Sequence, residues 1–137
     1  MKYDVSHVRN PGTSASFRLV NYVAQGGSAT LIDSRGMEVS DARAKKFAAA
    51  TKQAESSALH TFSFAEDNDP EVLLGAARET LPDHLDGRYL IGVHEDTDHN
   101  HLHVAEHGSE KELNFPASSV TALGSDLADA TGSEYKA

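Results

Sequence analysis

Residues 88–107 read RYLIGVHEDTDHNHLHVAEH. The first eight, RYLIGVHE, include Tyr89, Ile91 and Val93, and the closing NHLHVAE reads as a second strand. Between them lies a polar tract that ends both runs. The spacing predicts two strands, 88–96 and 100–107, joined as a hairpin around Asp98-His99. That register opposes His94 to His103 and Asp96 to His101. Directly opposed residues share a face, and side chains alternate along a strand. His94, Asp96, His101 and His103 are therefore expected to project from one side of a sheet.

The remaining elements follow outward from this hairpin. YDVSHV (3–8) reads as a short strand closed by Asn10-Pro11-Gly12. Ser14 is placed to cap a helix through about Ala24, ended by Gln25-Gly26-Gly27. ATLIDSRGMEV (29–39) suggests a small hairpin around Ser34-Arg35-Gly36. Ser40 can cap a helix from Asp41 to about Ser56. ALHTFSF (58–64) alternates as a strand, and Asn68 or Asp69 with Pro70 opens a helix to about residue 81. A last helix is expected from near Pro116 to about Asp129. The order β-α-ββ-α-β-α-β-β-α implies an α+β fold: a central antiparallel sheet with packed helices, a two-layer sandwich. With 137 residues and neither a repeat nor a long linker, one domain over 1–137 is expected.

Composition limits the chemistry. No cysteine is present, which removes disulfides and thiolate metal sites. No apolar run approaches the ~18 residues of a membrane span and no signal-peptide core opens the chain, so a cytoplasmic protein without membrane contact is expected. The net charge of −9 is unevenly divided. Residues 1–57 carry eight Lys/Arg against five acids, a net of +3, whereas 58–137 carry four against sixteen, a net of −12. The first part leaves room for a basic surface.

Cross-strand neighbours lie ~4.5–5.5 Å apart, so His94, His101 and His103 could share one divalent ion. Asp96 or Asp98 could accept the second N–H of a ligand imidazole and fix its tautomer. Three imidazoles with open positions suit Mn²⁺, Zn²⁺, Co²⁺ or Ni²⁺ by ligand chemistry. The competing reading is a polar loop that binds metal adventitiously. His99 falls in the turn, and His107 lies beyond the cluster. His60 shares a strand face with Phe62 and Phe64, which marks it as a satisfied core histidine.

His94-x-Asp96 followed by His99-Asn100-His101-Leu102-His103-Val104 resembles the metal motif of conjugative and mobilisation relaxases, members of the HUH endonucleases. FRLVNYVAQGG (17–27) is similar to the relaxase helix bearing the nucleophilic tyrosine, with Tyr22 at the matching place. LHTFSFA (59–65) resembles the family's His-apolar-Ser-Phe strand, one residue short between His60 and Ser63. The likeness covers roughly 14–115. After the last histidine of the motif, VAEHGSEKE (104–112) departs from the apolar run of the family, placing Glu106 and Lys111 where substrate-side contacts are expected.

The resemblance implies a metal-dependent nickase of single-stranded DNA at an origin of transfer, working with an accessory DNA-binding protein in plasmid or mobile-element processing. Tyr22 would form a 5′-phosphotyrosyl link, His94, His101 and His103 would hold Mg²⁺ or Mn²⁺, and Arg9, Arg18, Arg43, Lys45 and Lys46 would contact phosphates. Without the likeness, Tyr22 could as well cover a core edge. Tyr3 and Tyr89 are weaker candidates, and Tyr135 lies in a tail expected to fray. Two other readings remain: a non-catalytic relaxase-like module that binds metal, DNA or protein, and a metal-dependent hydrolase of another substrate.

Overall fold

The computed structural model describes residues 1–65, 68–95 and 99–136. Its centre is one antiparallel sheet of five strands: β1 (Lys2–Arg9), β2 (Leu31–Asp33), β3 (Ser56–Ser63), β4 (Arg88–His94) and β5 (His101–Gly108), in the spatial order β1-β3-β5-β4-β2. The four helices are α1 (Thr13–Val23), α2 (Asp41–Gln53), α3 (Pro70–Thr80) and α4 (Ala117–Thr131). The α+β class with helices packed on an antiparallel sheet holds. Helix-on-sheet packing occurs twice, because alternating strand residues feed two separate cores.

On one face Phe62, Ile91, Val93, Leu102 and Val104 meet Leu73 and Ala77 of α3 and Leu123 and Leu127 of α4. Phe62, Leu102 and Val104 are wholly buried. Each such side chain contributes about 1.5–3 kcal/mol on leaving water. On the other face Leu31, Leu90 and Ala105 meet Val20 and Val23 of α1 and Ala44 and Ala48 of α2. Small alanines there bring α2 close to the strands.

Local chemistry sets the helix ends. Ser40 Oγ accepts from the Arg43 amide to cap α2, and the Asp69 carboxylate accepts from the Glu71 amide ahead of Pro70. The first helix starts earlier than its serine suggests: Gly12 is the cap, extended at φ −82°, ψ 180°, and makes no side-chain bond. The second ends at Gln53 rather than near Ser56, because β3 claims Ser56 for its ladder. Of the expected hairpin over 29–39, one arm is β2 and the other a single bridge from Ile32 to Glu38. The tail around Tyr135 is anchored: its ring packs on Gly124 of α4, and the Lys136 amide donates to the Met1 carbonyl at 2.9 Å.

The β4–β5 register differs from the sequence expectation. His94 opposes His101, Gly92 opposes His103 and Leu90 opposes Ala105. The shift is two residues, since residues 95–100 stand between the strands where a shorter loop was expected. A shift of two preserves the facing of every side chain. His94, His101 and His103 therefore still share one side, the side covered by α1 and α2.

Candidate functional site

Gly92 brings α1 down onto this face. A β-carbon there would clash with the Val23 carbonyl oxygen and lie 3.2 Å from Leu31 Cδ2 and Val23 Cγ1. Its absence lets the C-terminal turn of α1 rest on β4, directly beside His94 and across from His103. The consequence is a cluster of rings. Tyr22 stands edge-on to His94, centroids 5.3 Å apart, and to His103 at 5.0 Å. His94 and His103 lie 4.0 Å apart at 36°, and His101 is 6.0 Å from His103. Tyr22 keeps 45% of its surface exposed, while His94 and His103 are buried beneath it and His101 is half-buried.

Hydrogen bonds assign part of the proton inventory. His94 Nε2 lies 3.2 Å from the Val23 carbonyl, which can only accept, so Nε2 carries the proton and Nδ1 has the lone pair. His103 Nδ1 lies 3.4 Å from the Thr61 hydroxyl. The open C-terminal carbonyls of a helix thus orient an imidazole on the neighbouring strand.

As a donor set, three imidazoles on one face suit a divalent ion of borderline softness. Among the described residues no three His, Asp or Glu side chains already surround a common ion-sized point. The tilted contact of His94 and His103 is ring packing. Shared coordination would draw their nitrogens toward one centre, with His94 ligating through Nδ1 or exchanging the Val23 carbonyl for the ion. Asp96 and Asp98, the expected partners of the ligand imidazoles, lie outside the described residues.

The expected phosphate contacts divide into two groups. Arg9 pairs with Glu110 at 2.9 Å, and Arg43 pairs with the buried Asp33 at 3.0 Å. Arg18, Lys45 and Lys46 are exposed on α1 and α2. Lys45 lines a 260 Å³ groove between those helices with Phe17, Val20 and Asn21. Tyr3 and Tyr89 hold their phenolic protons tightly. Burial, then the charge of Glu106, pushes the Tyr3 hydroxyl far above the ordinary phenol range, and burial pushes Tyr89 up to about 12.

Two histidines outside the cluster serve the fold. His60 Nδ1 meets the Tyr3 hydroxyl at 2.5 Å, and its Nε2 meets Glu106 Oε1 at 2.8 Å. Glu106 Oε2 accepts the Gly87 amide at 3.0 Å. Glu106 is thus a buried acceptor facing α3 and α4, away from the position of substrate contact that the family pattern implies. On the Tyr22 side, His107 Nδ1 lies 2.7 Å from the Thr51 hydroxyl, whose proton goes to the Phe47 carbonyl at 3.0 Å. A hydroxyl has one proton to give, so Nδ1 of His107 must be the donor.

Sequence reasoning placed Tyr22 and the three histidines in one site but missed how they meet. The available signal was Gly92, a glycine inside a hydrophobic strand, which marks a close backbone approach. No protein-family model, curated protein or solved structure matches the chain. The likeness to relaxases rests on the motifs quoted above. Among the described residues no helix is long and apolar enough to cross a membrane.

Proposed function

We propose that the face bearing Tyr22, His94, His101 and His103 is the active site of a metal-dependent single-stranded DNA transesterase of the relaxase kind. The observation that carries this reading is the contact of a half-exposed tyrosine with two histidines from β4 and β5, at 5.3 and 5.0 Å. A phenol must shed its proton to react well, helped by a neighbouring base or by the field of a bound cation. Because His94, His101 and His103 would spend their lone pairs on a bound ion, the charge of that ion rather than an imidazole would favour loss of the Tyr22 proton.

In the proposed reaction the Tyr22 oxygen attacks a backbone phosphorus. The bond from phosphorus to the 3′-oxygen of the preceding nucleotide breaks, leaving a 5′-phosphotyrosyl link. The tyrosine proton passes to water, and the departing 3′-oxygen takes a proton from water to become a hydroxyl. His94, His101 and His103 would hold the divalent ion, Mg²⁺ or Mn²⁺ by family resemblance, whose positive charge offsets that developing on the phosphate. Arg18, Lys45 and Lys46 would draw the strand toward Tyr22, with an origin of transfer as the target, an accessory DNA-binding protein as partner and the cytoplasm as the setting.

One observation favours a second reading, a relaxase-like module that binds without cutting. Arg9 and Arg43 are already engaged by carboxylates. Incubation with single-stranded oligonucleotides and Mn²⁺, followed by denaturing electrophoresis, separates the two. A covalent adduct in the parent that vanishes in Tyr22→Phe supports the transesterase. Binding without an adduct in either protein selects the module.

A further inference from the structure

Four of the six arginines of this acidic chain gather at the turn that follows β2. Arg35, Arg43 and Arg88 line a 340 Å³ cavity with Asp33, Ser34, Val39, Phe47, Tyr89 and Leu90. A second cavity of 320 Å³ shares Ser34 and Arg35 and adds Arg78 and Glu79. Gly36, at φ +79°, leaves the space that the Arg78 guanidinium occupies against the turn. All three cations of the first cavity are arginine, although half of the chain's twelve basic residues are lysine. Arginine presents a planar fork that matches phosphate, where lysine offers a hydrated point charge.

Among the described residues lining that cavity Asp33 is the one carboxylate, and it is already saturated. Asp33 Oδ1 accepts the amides of Arg35 and Met37 at 2.9 and 3.0 Å, and Oδ2 accepts from Arg43. Asp33 therefore fixes the turn and aims Arg43. Among the described residues Arg35, Arg78 and Arg88 form no ion pair. Asp33 offsets one of the three charges in the first cavity, Glu79 lines the second and Glu112 feels the charge of Arg88. That leaves cations in excess of acids around the first cavity, an arrangement that attracts an anion.

We propose that the cavity between Arg35, Arg43 and Arg88 binds a small organic phosphate, its phosphate held by these guanidinium groups and its ring laid against Phe47 and Val39. Phe47 is half-buried, its ring already packed on His107 with centroids 4.4 Å apart. The site stands apart from the Tyr22 cluster. Arg88 begins β4 and His94 ends it, a separation of about 20 Å at ~3.3 Å per residue. Nothing in this assignment depends on the DNA reading.

Phenyl phosphate, inorganic phosphate and a short oligodeoxynucleotide serve as probes, followed by amide chemical shifts in ¹⁵N-labelled protein. Phenyl phosphate should shift the amides of Ser34, Arg35, Phe47 and Leu90 saturably and bind more tightly than inorganic phosphate. Arg35→Ala and Arg88→Ala, both exposed, should each weaken it roughly tenfold or more, the worth of a charge-assisted hydrogen bond. Lys52→Ala together with Lys111→Ala removes twice the charge of either arginine variant, elsewhere, and should leave the affinity unchanged. His101→Ala should leave it unchanged too, which keeps this outcome separable from that of the Tyr22 site. No saturable shift at millimolar phenyl phosphate, or equal weakening by the lysine pair, overturns the proposal. Preferential binding of the oligonucleotide at these amides also overturns it and assigns the arginines to nucleic acid.

Discussion

A β-carbon at Gly92 would clash with the carbonyl oxygen of Val23. That close approach seats the last turn of α1, and with it Tyr22, on His94 and His103. Gly92→Ala should therefore cost stability, about 1–3 kcal/mol, through overpacking between a helix and a strand. Gly75→Ala is the control: it lies inside α3 with nothing within 4 Å of the added carbon. It should stabilise by about 0.4–1 kcal/mol. Urea unfolding of both variants checks the pair. Equal stabilities would mean that α1 does not rest on β4 as described.

His101 is half-buried and touches its cluster through His103. Its removal should leave thermal stability within about 0.5 kcal/mol while abolishing stoichiometric Mn²⁺ or Zn²⁺ binding in calorimetry. The double variant His101→Ala/His103→Ala should be equally silent toward metal. Retained affinity in either protein places the metal, if any, elsewhere.

Three exposed cations, Arg18, Lys45 and Lys46, remain for phosphate contacts once Arg9 and Arg43 are tied to Glu110 and Asp33. At about 0.7 per contact on single strands, log affinity should fall with log salt at a slope near −2. A slope near zero would reject the expected basic track. One near −3.5 would show that both arginines leave their carboxylates to join it.

Stability should decline on mild acidification, with His107 as one source. Burial, and then the Arg88 charge, hold its imidazole below the ordinary 6.5. The folded state prefers the neutral ring, so the unfolded chain binds the extra proton first. The contribution is whole above pH ~6.5 and is lost as pH falls from there toward the lower folded value, at no more than about 1.4 kcal/mol per pH unit. His107→Gln can still donate to Thr51 but does not titrate. Its stability curve between pH 5 and 6.5 should be shallower than that of the parent, and parallel curves would refute the assignment.

Glu106→Gln should destabilise by about 1–3 kcal/mol despite equal size. Both carboxylate oxygens accept, one from His60 and one from Gly87. An amide turned to keep Gly87 would aim its NH₂ at His60 Nε2. The imidazole would then have to reverse its tautomer, and the Tyr3 hydroxyl would lose its acceptor. Denaturant titration measures the cost, and no change would mean the chain of bonds contributes nothing.

The grouping of His94, His101 and His103 was legible because strand alternation is local, whereas Tyr22 was joined to them by the resemblance alone. Strand alternation placed the histidines on one face, and a two-residue error in register left that face intact. Caps with a side-chain acceptor, at Ser40 and Asp69, were readable, whereas Gly12 offered no such group. Strand order was not readable, because β1 and β2 each choose a distant partner through tertiary packing. The Tyr3–His60–Glu106 chain was hidden for the same reason: three strands contribute one residue each. His60 alone announced itself, through the phenylalanines on its face.

The position of β5 between β3 and β4 has a consequence for synthesis. Until residues 101–108 leave the ribosome, the chain can form β1 with β3 and β2 with β4, but nothing joins those two pairs. Tyr22 is therefore made early and acquires its full set of ring neighbours late, since His103 arrives with the strand that closes the sheet. A nascent chain stopped before β5 carries two half-sheets, each with an open inner edge. Such edges invite pairing with other chains. The strand that closes these edges is the one that completes the histidine face.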